Sequence, residues 1–101
     1  MSKIYFYGGA FNPFTIAHQQ IIDNLINELT DDDILHIGIT SHDYKTYEFD
    51  KNFRLEIVKS YMNSKYIKKF NWEVSFQDER TWNYLHKIYD NDKIIALIFI
   101  S

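Results

Sequence analysis

Short apolar runs alternate with longer amphipathic stretches along this chain. Residues 3–7 (Lys-Ile-Tyr-Phe-Tyr) are rich in β-prone side chains and predict a buried strand ending at Gly8-Gly9. Residues 16–29 place Ile22, Leu25, Ile26 and Leu29 at three- and four-residue spacings, the period of a helix with one buried face. An acidic Asp31-Asp32-Asp33 turn, expected to be solvated, leads to a second apolar strand at 34–39. Residues 40–50 mix polar and aromatic side chains with neither period and predict a loop long enough to be functional. A second helix is expected at 52–62, with Phe53, Ile57, Val58 and Tyr61 on one side. A third strand is expected at 70–74, and a third helix at 81–89 with Trp82, Leu85 and Tyr89 in line. Residues 94–100 are apolar throughout and predict a fourth strand, buried on both faces.

Strands separated by helical crossovers predict a parallel sheet with helices on both faces. The right-handed crossover rule makes this an open, doubly wound α/β sheet of about four strands, in one domain spanning 1–101. Composition changes this picture little. With 46% hydrophobic and 25% charged residues, one Pro and three Gly, the chain is neither disordered nor linker-rich. The absence of Cys excludes disulfides, thiolate zinc sites and cysteine catalysis. A net charge of −3 argues against a broad nucleic-acid surface, but leaves room for a nucleotide held by a few local amides and cations. No signal-peptide pattern opens the chain and no apolar run is long enough to span a bilayer, so a cytoplasmic protein without a membrane partner is expected. With only Ser101 after it, the 94–100 strand is expected to be covered by the existing helices and a second subunit, as in a homodimer, or by further sequence of a longer protein.

Chemistry concentrates in Gly8-Gly9-Ala10-Phe11-Asn12-Pro13-Phe14-Thr15-Ile16-Ala17-His18, between the first strand and the first helix. Glycines allow close backbone approach to a ligand, and free amides at a helix start attract an anion. Thr15 and His18 are three residues apart and face the same way. A hydroxyl and an imidazole would thus converge on bound phosphates, the imidazole offering a hydrogen bond or positive charge.

This run resembles the signature of the nucleotidyltransferase superfamily, a Gly-rich Phe-Asn/Asp-Pro turn followed by His/Thr-x-Gly-His. Its double glycine and Phe-Asn-Pro are most similar to the nicotinate/nicotinamide mononucleotide adenylyltransferases. The resemblance implies a Rossmann-like fold, in-line transfer of AMP from ATP to a pyridine mononucleotide with release of pyrophosphate, and Mg²⁺ carried by ATP with no dedicated protein metal site. It implies catalytic roles for His18, Thr15 and Lys45, and nucleotide contacts from Gly8, Gly9, Ala10, Phe11, Asn12, Ala17 and His18. Lys45 stands where that subfamily has a lysine after its second strand, and Phe53-Arg54-Leu55 resembles the Arg-Leu pair at the start of its next helix. Arg80-Thr81-Trp82-Asn83-Tyr84-Leu85 resembles the segment that helps hold the pyridine mononucleotide. Arg54, Arg80, Thr81, Trp82 and Tyr84 are accordingly expected at the acceptor.

Two features depart from the family. Ala17 stands where the family has the glycine before its final histidine, adding a methyl group beside the nucleotide. The family's second signature, Ile-Ser-Ser-Thr-x-x-Arg, has no counterpart here, so the chain is expected to correspond to the first half of such an enzyme. Simpler roles stay open: the glycines as a strand-to-helix turn, Phe11, Phe14 and Ile16 as core, Arg54 in a helix-start ion pair, and Trp82 and Tyr84 as packing residues. His36, inside an apolar strand, reads as a satisfied core histidine. Two other functions also stay open: nucleotidyl transfer to another phosphorylated acceptor such as phosphopantetheine, and a non-catalytic nucleotide-binding or dimerising module.

Overall fold

The computed structural model describes residues 4–40, 48–66, 71–77 and 94–100. Its elements are β1 (Ile4–Gly9), α1 (Ile16–Ile26), β2 (Ile34–Thr40), α2 (Lys51–Lys65), β3 (Asn71–Gln77) and β4 (Ile94–Ile100). The strands form one sheet of order β3-β2-β1-β4, every pair parallel. The chain steps from β1 to β2 to β3 in one direction and then returns to the other side of β1. The order therefore reverses beside β1, where open α/β sheets hold ligands at the carboxyl ends of their strands. This is the Rossmann-like arrangement expected. The helix expected at 81–89 lies outside the described residues.

Register sorts the side chains onto two faces. Tyr5, Leu35 and Trp72 align across the sheet, as do Tyr7, Ile37 and Val74. With Ile39 and Phe76 they form a face that packs against Ile22 and Leu25 of α1 and Val58 and Met62 of α2. The opposite face carries Phe6, His36 and Glu73 in one row and Gly8, Gly38 and Ser75 in the next. His36 is fully buried there, its Nε2 2.8 Å from Ser75 Oγ and its ring 5.6 Å from Phe6. Burial, opposed by Glu73, pulls its pKa below the ordinary imidazole value.

Gly8 and Gly38 are neighbours in this register, and neither serves a turn. A Cβ on either would stand 2.7 Å from the ring of Phe6 and 3.2 Å from Gln77 Oε1. The two missing side chains are the space the Phe6 ring fills.

Boundaries shift for local reasons. α1 ends at Ile26, not Leu29, because the chain tightens: Glu28 N–H donates to Leu25 O and Leu29 N–H to Ile26 O, three residues back each time. Leu29 still packs on the core. β3 extends to Gln77, since 71–77 alternates strictly between the two faces. The acidic turn is solvated only in part. Asp31 and Asp32 are exposed, but Asp33 is buried and accepts from Thr30 N–H at 3.0 Å.

The buried row of α2 is Arg54, Val58 and Met62, spaced by four. The sequence reading placed Phe53 and Ile57 inward instead; they are 50% and 39% exposed. A charged residue heads the buried row, so hydrophobicity alone sets the wrong phase. Asp23 fastens α1 to α2, accepting from Tyr61 OH at 2.7 Å, from Lys65 Nζ at 2.8 Å and from Tyr66 OH. Burial would raise the Asp23 carboxyl, but the bonds from Lys65, Tyr66 and Tyr61 outweigh it and hold the pKa below the ordinary value. Among the described residues no helix is long and apolar enough to cross a membrane.

Candidate functional site

β1 delivers the Gly-rich run to the carboxyl edge of the sheet, where the chain turns sharply before α1. The turn's left-handed residue is Phe11, at φ 50°, and no described glycine has positive φ. A phenylalanine, not Gly8 or Gly9, thus makes the left-handed step of this turn, in a region that few non-glycine residues occupy and that its surroundings hold. Those surroundings are aromatic. Phe11 is 2% exposed, with its ring 5.2 Å from Tyr7, 5.9 Å from Phe14 and 5.0 Å from His18. Ile16, an expected core residue, begins the helix 70% exposed.

His18 lies at the third position of α1 and is half-buried among these rings, stacked on Phe14 at 9° between planes and 5.8 Å between centroids. The backbone N–H of Thr15, the N-cap residue, donates to His18 Nδ1 at 2.9 Å, and Thr15 Oγ1 lies 3.0 Å from the same nitrogen. A helix start leaves such an N–H without an intrahelical partner, and an imidazole here does what Glu or Gln does in a capping box. The consequence is chemical. With Nδ1 accepting, the ring proton of the neutral imidazole sits on Nε2, leaving Nε2–H as a donor. Burial also pulls the pKa of His18 below the ordinary imidazole value. Of the two offers expected from this ring, the geometry selects the hydrogen bond over the positive charge.

Thr15 and Ala17 are exposed at the head of the helix, so the Ala17 methyl stands at the surface. Asn12 turns toward the segment before α2: its Oδ1 accepts from Phe49 N–H at 2.9 Å. Arg54, expected at the acceptor, is 3% exposed and engaged with main chain. Its Nη1 donates to Ala10 O at 2.8 Å and Thr40 O at 2.9 Å, and its Nε donates to Phe49 O at 3.0 Å. A small cleft, open to solvent, lies alongside. Phe11, Pro13 and Phe14 line it from the turn, and Phe49, Phe53 and Ile57 from the α2 side. This explains the outward phase of Phe53, whose ring stacks on Phe49 at 5.4 Å.

Sequence reasoning missed Tyr7. It is fully buried, its hydroxyl has no hydrogen-bond partner among the described residues, and burial pushes its pKa up to about 12. Its ring centroid lies 6.5 Å from that of His18. A tyrosine in an apolar strand gives no signal that separates it from phenylalanine packing. Lys45, Arg80, Thr81, Trp82 and Tyr84 lie outside the described residues. Among the described residues no three His, Cys, Asp or Glu gather to hold a metal ion.

A cytidylyltransferase-like family profile matches residues 6–99. The chain belongs to this cytidylyltransferase-like family. The match covers both ends of the sheet, and it bears out the nucleotidyltransferase resemblance. One similar protein, from Fusobacterium nucleatum, is named a probable nicotinate-nucleotide adenylyltransferase. It is 34% identical over 101 aligned residues, covering 97% of this chain and 48% of the relative. The family member described here thus spans about half the length of that relative.

Proposed function

We propose that this chain carries the donor-nucleotide site of an adenylyltransferase that moves AMP from ATP to nicotinate mononucleotide, a step in NAD biosynthesis. The observation that carries the reading is His18, whose Nδ1 is held by Thr15 N–H so that Nε2–H is left to donate at the head of α1. Membership of the cytidylyltransferase-like family and the name of the Fusobacterium relative support it.

In the proposed reaction a phosphate oxygen of the mononucleotide attacks the α-phosphorus of ATP. The bond from that phosphorus to the bridging oxygen breaks, and its electron pair leaves with pyrophosphate. Such transfers need positioning and charge stabilisation more than covalent help. His18 Nε2–H donates to the phosphoryl oxygens on which charge develops, and the positive end of the α1 dipole acts in the same direction. Mg²⁺ enters with the triphosphate as part of the substrate, and Lys45 adds a second positive charge. Arg80, Thr81, Trp82 and Tyr84 are assigned to the acceptor, an aromatic stacking on the pyridine ring.

The test is thermal stability with Mg-ATP, Mg-CTP, nicotinate mononucleotide, nicotinamide mononucleotide and phosphopantetheine, for the parent and for His18→Ala. A ligand at a hundredfold excess over Kd stabilises the native state by about 2.7 kcal/mol. The expected result is a shift with Mg-ATP and with nicotinate mononucleotide, the ATP shift being lost in His18→Ala. A CTP or phosphopantetheine shift in place of these would redirect the substrate assignment, and no shift with any ligand would overturn the reading.

A further inference from the structure

We propose that Arg54 is a positioning residue: it sets the orientation of the Ala10–Phe11 peptide and thereby aims the backbone amides of the anion-binding turn. The identity of the anion rests on the nucleotide reading above; the positioning itself does not. Three main-chain segments meet at this one side chain. Nη1 holds the carbonyl of Ala10, in the turn after β1, and the carbonyl of Thr40, the last residue of β2. Nε holds the carbonyl of Phe49, ahead of α2. Asn12 closes the same ring of contacts from the opposite direction, through Phe49 N–H. Phe49 is thus tied at its N–H by the turn and at its carbonyl by Arg54.

The geometric consequence follows from peptide planarity. In a trans peptide the carbonyl and the next N–H point in opposite directions. Drawing Ala10 O toward Arg54 therefore turns Phe11 N–H away from the guanidinium. Phe11 is also the residue at φ 50°, and a side chain that fixes the preceding peptide holds it there. The planar fork of a guanidinium spans carbonyls on separate segments from one side chain; a lysine ammonium is a single point and does not replace it. Burial at 3% exposure removes competition from water and keeps the fork in one orientation.

The experiment is amide NMR of the parent and of Arg54→Lys, each titrated with inorganic pyrophosphate and with Mg-ATP. Without ligand, the parent is expected to show slowly exchanging, separately resolved Arg54 guanidinium protons. In Arg54→Lys the Phe11 and Ala10 amide resonances are expected to move while exchange protection at Leu35 and Val58 is retained. Affinity for pyrophosphate is expected to weaken by at least about tenfold, the scale of a misplaced binding group. An averaged, freely rotating Arg54 guanidinium in the parent would overturn the proposal, and so would unmoved Phe11 and Ala10 amides in a folded Arg54→Lys. The guanidinium signals of the parent decide the question even if the variant fails to fold. A parent that binds neither pyrophosphate nor ATP would sink the nucleotide reading alone, leaving the ligand-free signals to judge Arg54.

Discussion

The hydrogen bond from Thr15 N–H to His18 Nδ1 makes a prediction about pH. The form that donates from Nε2 while accepting at Nδ1 is neutral, and burial lowers the pKa of His18, so that form persists below the ordinary imidazole range. Nucleotide binding is expected to stay flat from pH 8 through about pH 6.5 and to fall only at lower pH; titrations in overlapping buffers check it. His18 and His36 both have lowered pKa values in the folded chain, so the unfolded chain binds protons first as the pH drops. Stability is therefore expected to decline as pH falls from about 6.5 toward the folded values. Urea unfolding at several pH values would show a smaller decline in His36→Asn. At this scale the sequence was partly legible. The three-residue spacing of Thr15 and His18 announced their meeting, and the apolar neighbours of His36 announced its burial. Phe11 gave no warning of its positive φ, because nothing in a phenylalanine marks it for a left-handed turn. Arg54 gave no sign of its three carbonyl partners, since an arginine near a helix start suggests a ligand contact or an ion pair, and bonds to distant main chain leave no mark in the sequence.

Between elements, two features invite direct tests. Asp23 gathers Tyr61, Lys65 and Tyr66 onto α1. Asp23→Asn should destabilise the chain by about 1 kcal/mol, because part of the cluster is exposed to solvent. The carboxyl pKa is lowered, so its contribution is present above the ordinary Asp range and lost as pH falls through the folded value. Chemical denaturation at neutral and acid pH should therefore show the variant's deficit narrowing in acid. The second feature is the Gly8–Gly38 pair under Phe6. Gly38→Ala should cost about 1–3 kcal/mol by overpacking, and adding Phe6→Leu should recover part of that cost. Additive losses in the double variant would refute the packing account. The periodicities found the helices and strands of the described residues but misjudged the phase of α2, because its buried row begins with a charge and its exposed row with Phe53.

For the whole molecule, alternating strands and crossovers were enough to anticipate a parallel, Rossmann-like sheet; the two described helices both pack on one of its faces, and the helix expected for the other lies outside the described residues. The place of the Gly-rich run, and so of the candidate site, followed from the same logic, since it emerges from β1 where the strand order reverses. How the site is assembled did not follow. Its frame is drawn from the turn after β1, the end of β2 and the start of α2, and those segments are joined by side chains that bond to main chain. Such bonds leave no periodic trace in a sequence.

The central place of β1 also has a consequence for the order of events during synthesis. Ile4 pairs with Ile34 on one side and with Ile94 on the other. A ribosome adding about 5–20 residues per second delivers the first partner within seconds, but the second only some seconds later. During that interval one flank of the central strand, with its unpaired amides and carbonyls, has no native neighbour, and contacts so distant along the chain close slowly. The strand that ends in the Gly-rich turn is thus a template open to mispairing in the nascent chain until residues 94–100 emerge to pair with it.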